Sequence, residues 1–308
     1  MKKRLKEIIA VIVAVIILVL NAFGFNVPEI IDATKSELDI VSGTNKDVKK
    51  LDISSDLRVF FIDVGQADCI LVQSNGENML IDAGNNADGK KISNYFKALG
   101  IKKFKYVVGT HPHEDHIGGL DNIIRDFDVN KVFMPDVVST TTTYTSILDE
   151  LEKQNKKVTI PKTGSKYKIG NAEFTIIYLD DDPEDLNNDS IIIKLAYGKQ
   201  SFLFMADAES KVEERIINKD ISATVLKVGH HGSRYGSTTD FLNKVNPKYV
   251  VVSCGKNNDY GHPHKEFLKR IKKIKAEVYR TDKMGTILFE TNGKSMDISY
   301  FSTNTNGD

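Results

Sequence analysis

The hydrophobic and polar positions of the chain fall into three regimes. From Ile8 to Phe25 the residues are apolar almost without interruption, with Asn21 the one polar side chain. From residue 26 to 57 short apolar islands alternate with mixed charge and no period is sustained. From Arg58 onward the chain breaks into two kinds of stretch. Short β-branched or aromatic runs bounded by Gly, Asn and Asp read as strands, and stretches with apolar residues three or four apart read as helices.

RVFFIDVG, CILVQS and NMLIDAG are three consecutive predicted strands. KISNYFKALG carries Ile92, Tyr95, Phe96 and Leu99 at helical spacing and stops at Gly100, a natural C-cap. KYVVGT and KVFMP read as strands, IGGLDNIIRDF and TYTSILDELEKQN as helices. A second strand-rich set follows: KVTI, KYKI, AEFTIIYL, SIIIKLAYG and QSFLFMAD. Then helices SKVEERIIN, TTDFLNKV and HKEFLKRIKKI alternate with strands ATVLKVG and KYVVVSC, and EVYRT, GTILFE and SMDISYF close the chain. Two strand-rich halves, each with helices, predict an α/β domain over residues 58–308 with two sheets face to face and helices outside.

The first regime reads as a membrane anchor. Lys2, Lys3, Arg4 and Lys6 precede it. At about 1.5 Å per residue, residues 8–25 approach the ~30 Å thickness of a bilayer core. Leu20-Asn21-Ala22 is a poor signal-peptidase site and no better one follows, so residues 1–25 are expected to remain as one transmembrane helix. Cleavage would instead give a secreted protein. A buried core helix fits poorly, because the run is apolar all round. The basic flank stays in the cytoplasm, which puts residues 58–308 outside the cell on a single-pass anchor. Residues 26–57 read as the linker between them.

Composition narrows the chemistry. Of 308 residues, 42 are basic and 42 acidic, so no net charge draws the chain to nucleic acid or to an anionic membrane surface. The two cysteines, Cys69 and Cys254, sit in separate apolar runs and read as small buried hydrophobes. A zinc finger is excluded for want of cysteine pairs.

The candidate chemistry lies in GTHPHEDHIGGL, residues 109–120. Imidazole and carboxylate groups both bind zinc-like metals. In an extended loop His111 and His113 project to the same side, and Asp115 and His116 follow at the approach to a helix. One pair can grip one ion and the second pair another. Ile117-Gly118-Gly119 permits close backbone approach. Further ligand-type residues sit directly after other predicted strands: Asp82 in MLIDAG, Asp207 in FLFMADAES, and His230 and His231 in VLKVGHHGS. The plainer reading of Asp207 is a helix N-cap, and of one of the two histidines a hydrogen-bonding neighbour.

HPHEDH at 111–116, Asp82 and Asp207 together resemble the metallo-β-lactamase fold of hydrolases. VGHHGS, YGHPH at 260–264 and NNDSIIIKLAYGKQSFLFMAD resemble the metallo-hydrolase domain of ComEC-type competence proteins. The resemblance covers about residues 58–301. It implies a four-layer αββα sandwich behind the N-terminal transmembrane helix, with two divalent metal ions between the sheets. By the same resemblance His111 and His113 bind the first ion, Asp115, His116 and His231 the second, and Asp207 bridges them. Zinc is the expected metal and manganese the alternative. His230 and His262 would contact the substrate or the transition state, and Asp115 would serve on the base side. One departure stands out: many members bring a further histidine to the first ion, and no histidine lies between His116 and Asp207.

The resemblance implies a metal-dependent hydrolase, with a phosphodiester as the favoured substrate, either single-stranded DNA or a teichoic-acid component. The basic stretch KEFLKRIKKIK at 265–275 would suit a polyanion, but its apolar spacing fits an ordinary amphipathic helix. The acidic run at 180–189 would repel nucleic acid if it lay beside the site. A lactonase, thioesterase or β-lactamase is the rival enzyme, and a non-catalytic, metal-stabilised extracellular binding module is the rival outside catalysis. No protein partner is legible. The topology has a direct test: in intact cells an added protease should digest residues 58–308 while the basic N-terminus stays protected, and protection of the domain would overturn the exported orientation.

Overall fold

The computed structural model of the chain describes residues 56–137, 139–180 and 185–302. The expected anchor at 1–25 and nearly all of the expected linker lie outside the described residues. Among the described residues no helix is long and apolar enough to cross a membrane.

The first half of the domain supplies β1 (Leu57–Phe61), β2 (Cys69–Ser74), β3 (Glu77–Ala83), β4 (Lys103–Val108), β5 (Asp128–Phe133) and β6 (Val158–Thr159). The second supplies β7 (Lys166–Ile169), β8 (Ala172–Tyr178), β9 (Ile192–Tyr197), β10 (Gln200–Phe204), β11 (Val225–Lys227), β12 (Tyr249–Val252) and β13 (Glu277–Arg280), and then β14 (Thr286–Thr291) and β15 (Met296–Phe301). Among the described residues they form an eight-stranded sheet, β15-β14-β1-β2-β3-β4-β5-β6, and a seven-stranded sheet, β13-β12-β11-β10-β9-β8-β7. The chain's last two strands thus cross back to the first sheet, where β14 pairs antiparallel with β1 and Phe289 faces Val59. Strands β3 to β6 are parallel, and so are β10 to β13.

Period-two alternation decides which side chains enter the space between the sheets. Val59, Phe61, Ile70, Val72, Met79 and Ile81 from the first sheet meet Phe174, Ile176, Leu195, Phe202 and Phe204 from the second. Aromatic rings fasten the two together. Tyr106 of β4 meets Phe174 of β8 edge to face at 5.2 Å between centroids, and Phe61 of β1 lies 6.1 Å from Phe204 of β10. The opposite faces are covered by helices. Phe96 of α1 (Gly89–Ala98) sits 5.4 Å from Phe104 of β4. Leu203, Leu226 and Val250 pack on Val212, Phe241 and Phe267 from helices of the second half. The four layers αββα that the sequence implied are therefore present, and Cys69 and Cys254 are free and buried within them.

Two boundaries differ from the periodicity. Helix α1 ends at Ala98, and Leu99, 39% exposed, falls outside its buried face because the chain turns away at Gly100, φ +75°. The single helix expected over 117–127 is two, α2 (Glu114–Ile117) and α3 (Leu120–Asp126), parted at Gly118 and Gly119. Neither glycine needs an unusual φ. Space is the constraint: a Cβ on Gly118 would stand 2.2 Å from Asn86 N, and one on Gly119 2.4 Å from Ala83 O. The gap brings α2 directly against the end of β3. Gly119→Ala should therefore cost about 3 kcal/mol or more, lowering Tm by roughly 6–12 °C in a thermal melt; an unchanged Tm would show that the two backbones are free to separate.

Candidate metal centre

Ligand-type side chains collect where parallel strands of both sheets end, the usual place for chemistry in layered α/β folds. Strand β4 runs into the loop that carries His111 and His113 and then into α2, which carries Asp115 and His116. Strand β10 leads to Asp207, β11 to His230 and His231, and β3 to Asp82. Three of these strand ends turn sharply on residues other than glycine: φ is +59° at Asp82, +45° at Ala206, +46° at His230 and +51° at His231. Such conformations cost about 1–3 kcal/mol each and persist where surrounding contacts over-determine them.

The six residues assigned to metal binding come together, drawn from both sheets. His111 Nε2 and His113 Nδ1 are 3.1 Å apart, and His111 Nε2 is 3.9 Å from Asp207 Oδ2. The other oxygen, Asp207 Oδ1, lies 3.2 Å from His116 Nε2 and 3.6 Å from His231 Nε2. Asp115 Oδ2 is 3.2 Å from His231 Nε2 and 3.8 Å from His116 Nε2. One ligand atom from each of Asp115, His116, Asp207 and His231 lies within 4.8 Å of all the others. Ligands at about 2.0–2.2 Å from a tetrahedral ion stand roughly 3.3–3.6 Å from each other, so these separations fit a zinc-like ion. His116 Nε2 and Asp207 Oδ1 are also buried without a hydrogen-bond partner, although both are strongly polar. A cation between them removes that deficit.

The electrostatics favour positive charge at the same spot. Burial opposes charge on His116, yet Asp207 and Asp82 outweigh it and raise the ring's pKa well above its ordinary value. Burial likewise works against ionised Asp207, and His116 and His231 overcome it, holding the carboxylate well below the usual range. Asp115 is lowered to about 2: burial pushes it up, and the His231 hydrogen bond and the His116 charge pull it further down. His111 goes the other way, lowered by burial and by the neighbouring His116, which leaves a neutral ring.

Behind these groups stands a second row. Asp82 accepts from Thr110 N and Thr110 Oγ1, both at 2.8 Å, and lies 2.7 Å from His116 Nδ1, so it buttresses the ring that faces Asp207. His231 Nδ1 donates to Ser253 O at 2.9 Å. Asp207 N donates to Ser190 Oγ at 3.2 Å. His230 Nδ1 is 2.8 Å from Glu209 Oε1, and its Nε2 is 3.7 Å from Asp207 Oδ2, the oxygen on the His111 side. His262 lies beside the pair, its ring 5.3 Å from His230 and 6.1 Å from His231. Burial and the nearby His231 push its pKa down to about 4, so the ring is neutral. His264 belongs to the scaffold: its Nδ1 accepts from Arg234 N at 3.1 Å where α4 (Lys265–Ile274) begins. That basic helix buries Phe267 and Ile271 and turns its lysines to solvent, as amphipathic spacing predicts.

Residue-by-residue reading of the sequence passed over Asp68, Lys227 and Glu209. Lys227 Nζ is 2.6 Å from Asp68 Oδ2, with both side chains sealed from solvent. Asp68 in turn lies 3.7 Å from His231 Nδ1 and 4.0 Å from His116 Nδ1. A lone lysine inside the apolar strand ATVLKVG was the readable signal, since a buried ammonium needs an anion.

Comparison with known proteins bears on the family and the fold. A family model for the metallo-beta-lactamase superfamily matches residues 62–256. ComE operon protein 3 of Bacillus subtilis is 29% identical over 258 residues, covering 77% of this chain and 33% of that protein. Recombination protein 2 of Haemophilus influenzae is 26% identical over 231 residues, covering 73% of this chain and 28% of its own length. The chain thus spans about a third of the length of the curated relatives it matches. Among solved structures, Igni18, a metallo hydrolase from the archaeon Ignicoccus hospitalis, superposes with a TM-score of 0.54 at 19% identity over 76% of this chain and all of its own.

The Asp82 buttress generates a prediction. Asp82→Ala, which leaves every proposed ligand in place, should weaken metal binding about 10–100-fold. A competition titration with a chromophoric chelator reads it, and unaltered affinity would remove Asp82 from the centre's support.

Proposed function

The chain belongs to the metallo-β-lactamase superfamily, and on that footing we propose that it is a dinuclear-metal phosphodiesterase working outside the cytoplasm. The observation that carries this reading is the split of one carboxylate. Asp207 turns Oδ1 to His116 and His231 and Oδ2 to His111, the disposition of a bridge between two cation sites. His111, His113 and Asp207 would hold one ion, and Asp115, His116, His231 and Asp207 the other. Zinc suits these donors best, with manganese the alternative. Two such ions supply positive charge for an anionic transition state and acidify water.

The chain's own groups do the rest. Asp115 has 31% of its side chain exposed, more than its buried partners, and so is the carboxylate placed to take a proton from attacking water. His230, aligned by Glu209 and 26% exposed, faces the bridge from the solvent side and is placed to protonate the leaving oxygen. His111 and His116 are fully buried and exclude water from the rear of the centre. The likeness to a protein named for recombination supports a nucleic-acid phosphodiester over a cell-envelope ester. The whole-protein activities of those longer relatives carry over only as far as this domain's chemistry.

The full chain loaded with zinc or manganese should hydrolyse bis-p-nitrophenyl phosphate and leave nitrocefin intact. Asp207→Ala should lose both bound metal and activity, by more than the roughly 10–100-fold typical of outer supporting residues. A folded, metal-loaded protein without phosphodiester turnover would sink the proposal, and nitrocefin cleavage would point to the β-lactamase alternative.

A further inference from the structure

The loop joining β1 to β2 and the loop after β12 meet through Gln66. Gly255 N donates to Gln66 Oε1 at 3.0 Å. A backbone N–H can only donate, so the acceptor must be the amide oxygen and the side chain's orientation is settled. Its nitrogen then faces His262, with Gln66 Nε2 3.4 Å from His262 Nδ1. An amide nitrogen also only donates, so Nδ1 accepts, and a neutral ring must carry its proton on Nε2.

The backbone on both sides of this contact is held closely. A Cβ on Gly255 would lie 2.8 Å from Gln66 N, so the two loops are in close backbone contact. Asn258 clamps His262 from both sides: its Oδ1 accepts from His262 N at 2.9 Å, and its Nδ2 donates to His262 O at 2.7 Å and to Gly255 O at 2.9 Å. Tyr260 stacks on the ring, 5.7 Å between centroids and 19° from parallel.

We infer that Gln66 is a positioning residue that holds His262 as a fixed, neutral Nε2–H donor beside His230 and His231. This rests on reading the centre as hydrolytic. His262 then acts as a hydrogen-bond donor to the developing oxyanion of the ester, and does not give up its proton. The two neighbouring histidines carry opposite arrangements. His230 commits Nδ1 to Glu209, whereas His262 receives at Nδ1 and offers Nε2–H. A neutral donor stabilises charge that appears only in the transition state, without binding the anionic ground state as a cation would.

Selective 15N-histidine labelling of the zinc-loaded full chain tests the assignment without any substrate. One of the seven histidines, identified by its loss in His262→Gln, should show a pyridine-type Nδ1 and a pyrrole-type Nε2. Gln66→Glu, whose carboxylate accepts from Nδ1–H, should move the proton to Nδ1. The same variant should lower kcat on bis-p-nitrophenyl phosphate roughly 10–100-fold with KM nearly unchanged, below the 10²–10³-fold loss of an entire oxyanion donor. If Gln66→Glu does not fold, Gln66→Met, which keeps the shape and removes the donor, should give mixed tautomers. A wild-type ring protonated at Nδ1, or a tautomer that ignores these substitutions, overturns the inference. Absence of phosphodiester turnover would sink the functional reading alone, because the spectra decide Gln66's role independently.

Discussion

An ionised carboxylate sealed between two apolar sheets must find positive charge close at hand, because isolating it in a low-dielectric interior costs more than a whole fold's net stability. Asp207 is such a group. It hangs from the end of β10 in the second sheet, 2% exposed, and imidazole nitrogens approach it from His111 and His116 of the first sheet and from His230 and His231. The two sheets must therefore close with these strand ends side by side. The interlocked rings of Tyr106, Phe174, Phe61 and Phe204 provide that alignment through packing alone. The site and the core are in this sense one problem: the apolar interface fixes the distance, and the polar edge uses it.

The Asp68–Lys227 pair follows the same logic one layer deeper. It too links the sheets, from the β1–β2 loop to β11, and it lies beneath His116 and His231. Removing one member of such a pair strands the other and typically costs about 3–5 kcal/mol. Lys227 Nζ meets Asp68 Oδ2 at 2.6 Å, and Asp68 in turn reaches toward His116 and His231.

Much of this was legible in the sequence. Within the described residues each strand and helix expected from Arg58 onward has a counterpart, because period-two and helical spacing report burial directly. The HPHEDH loop, Asp207 and the histidine pair could be singled out because ligand-type residues at the ends of apolar runs are conspicuous. The parting of the 117–127 helix was not legible, since it arises from the approach of Asn86 and Ala83, contacts distant in sequence. The return of β14 and β15 to the first sheet was hidden for the same reason. Gln66, Glu209 and Asp68 escaped notice because a single polar residue in a turn carries no local sign of what it will touch. The His262 and His264 pair shows the limit well: two residues apart in the same motif, one ring lies beside the proposed metal ligands and the other caps a loop.

The left-handed backbone at His230 and His231 sets chemistry and fold against each other. Glycine or asparagine would occupy those positions more comfortably than histidine does. Under the proposed hydrolysis, function at these positions comes at the expense of conformational ease, a common tension at working sites. In a lineage no longer selected for hydrolysis, relief of that strain would reward replacement of the paired histidines early, while the aromatic interface persisted. The expected relic is an intact αββα sandwich with a relaxed, metal-free rim, so the residues at these two positions would distinguish a working descendant from a retired one.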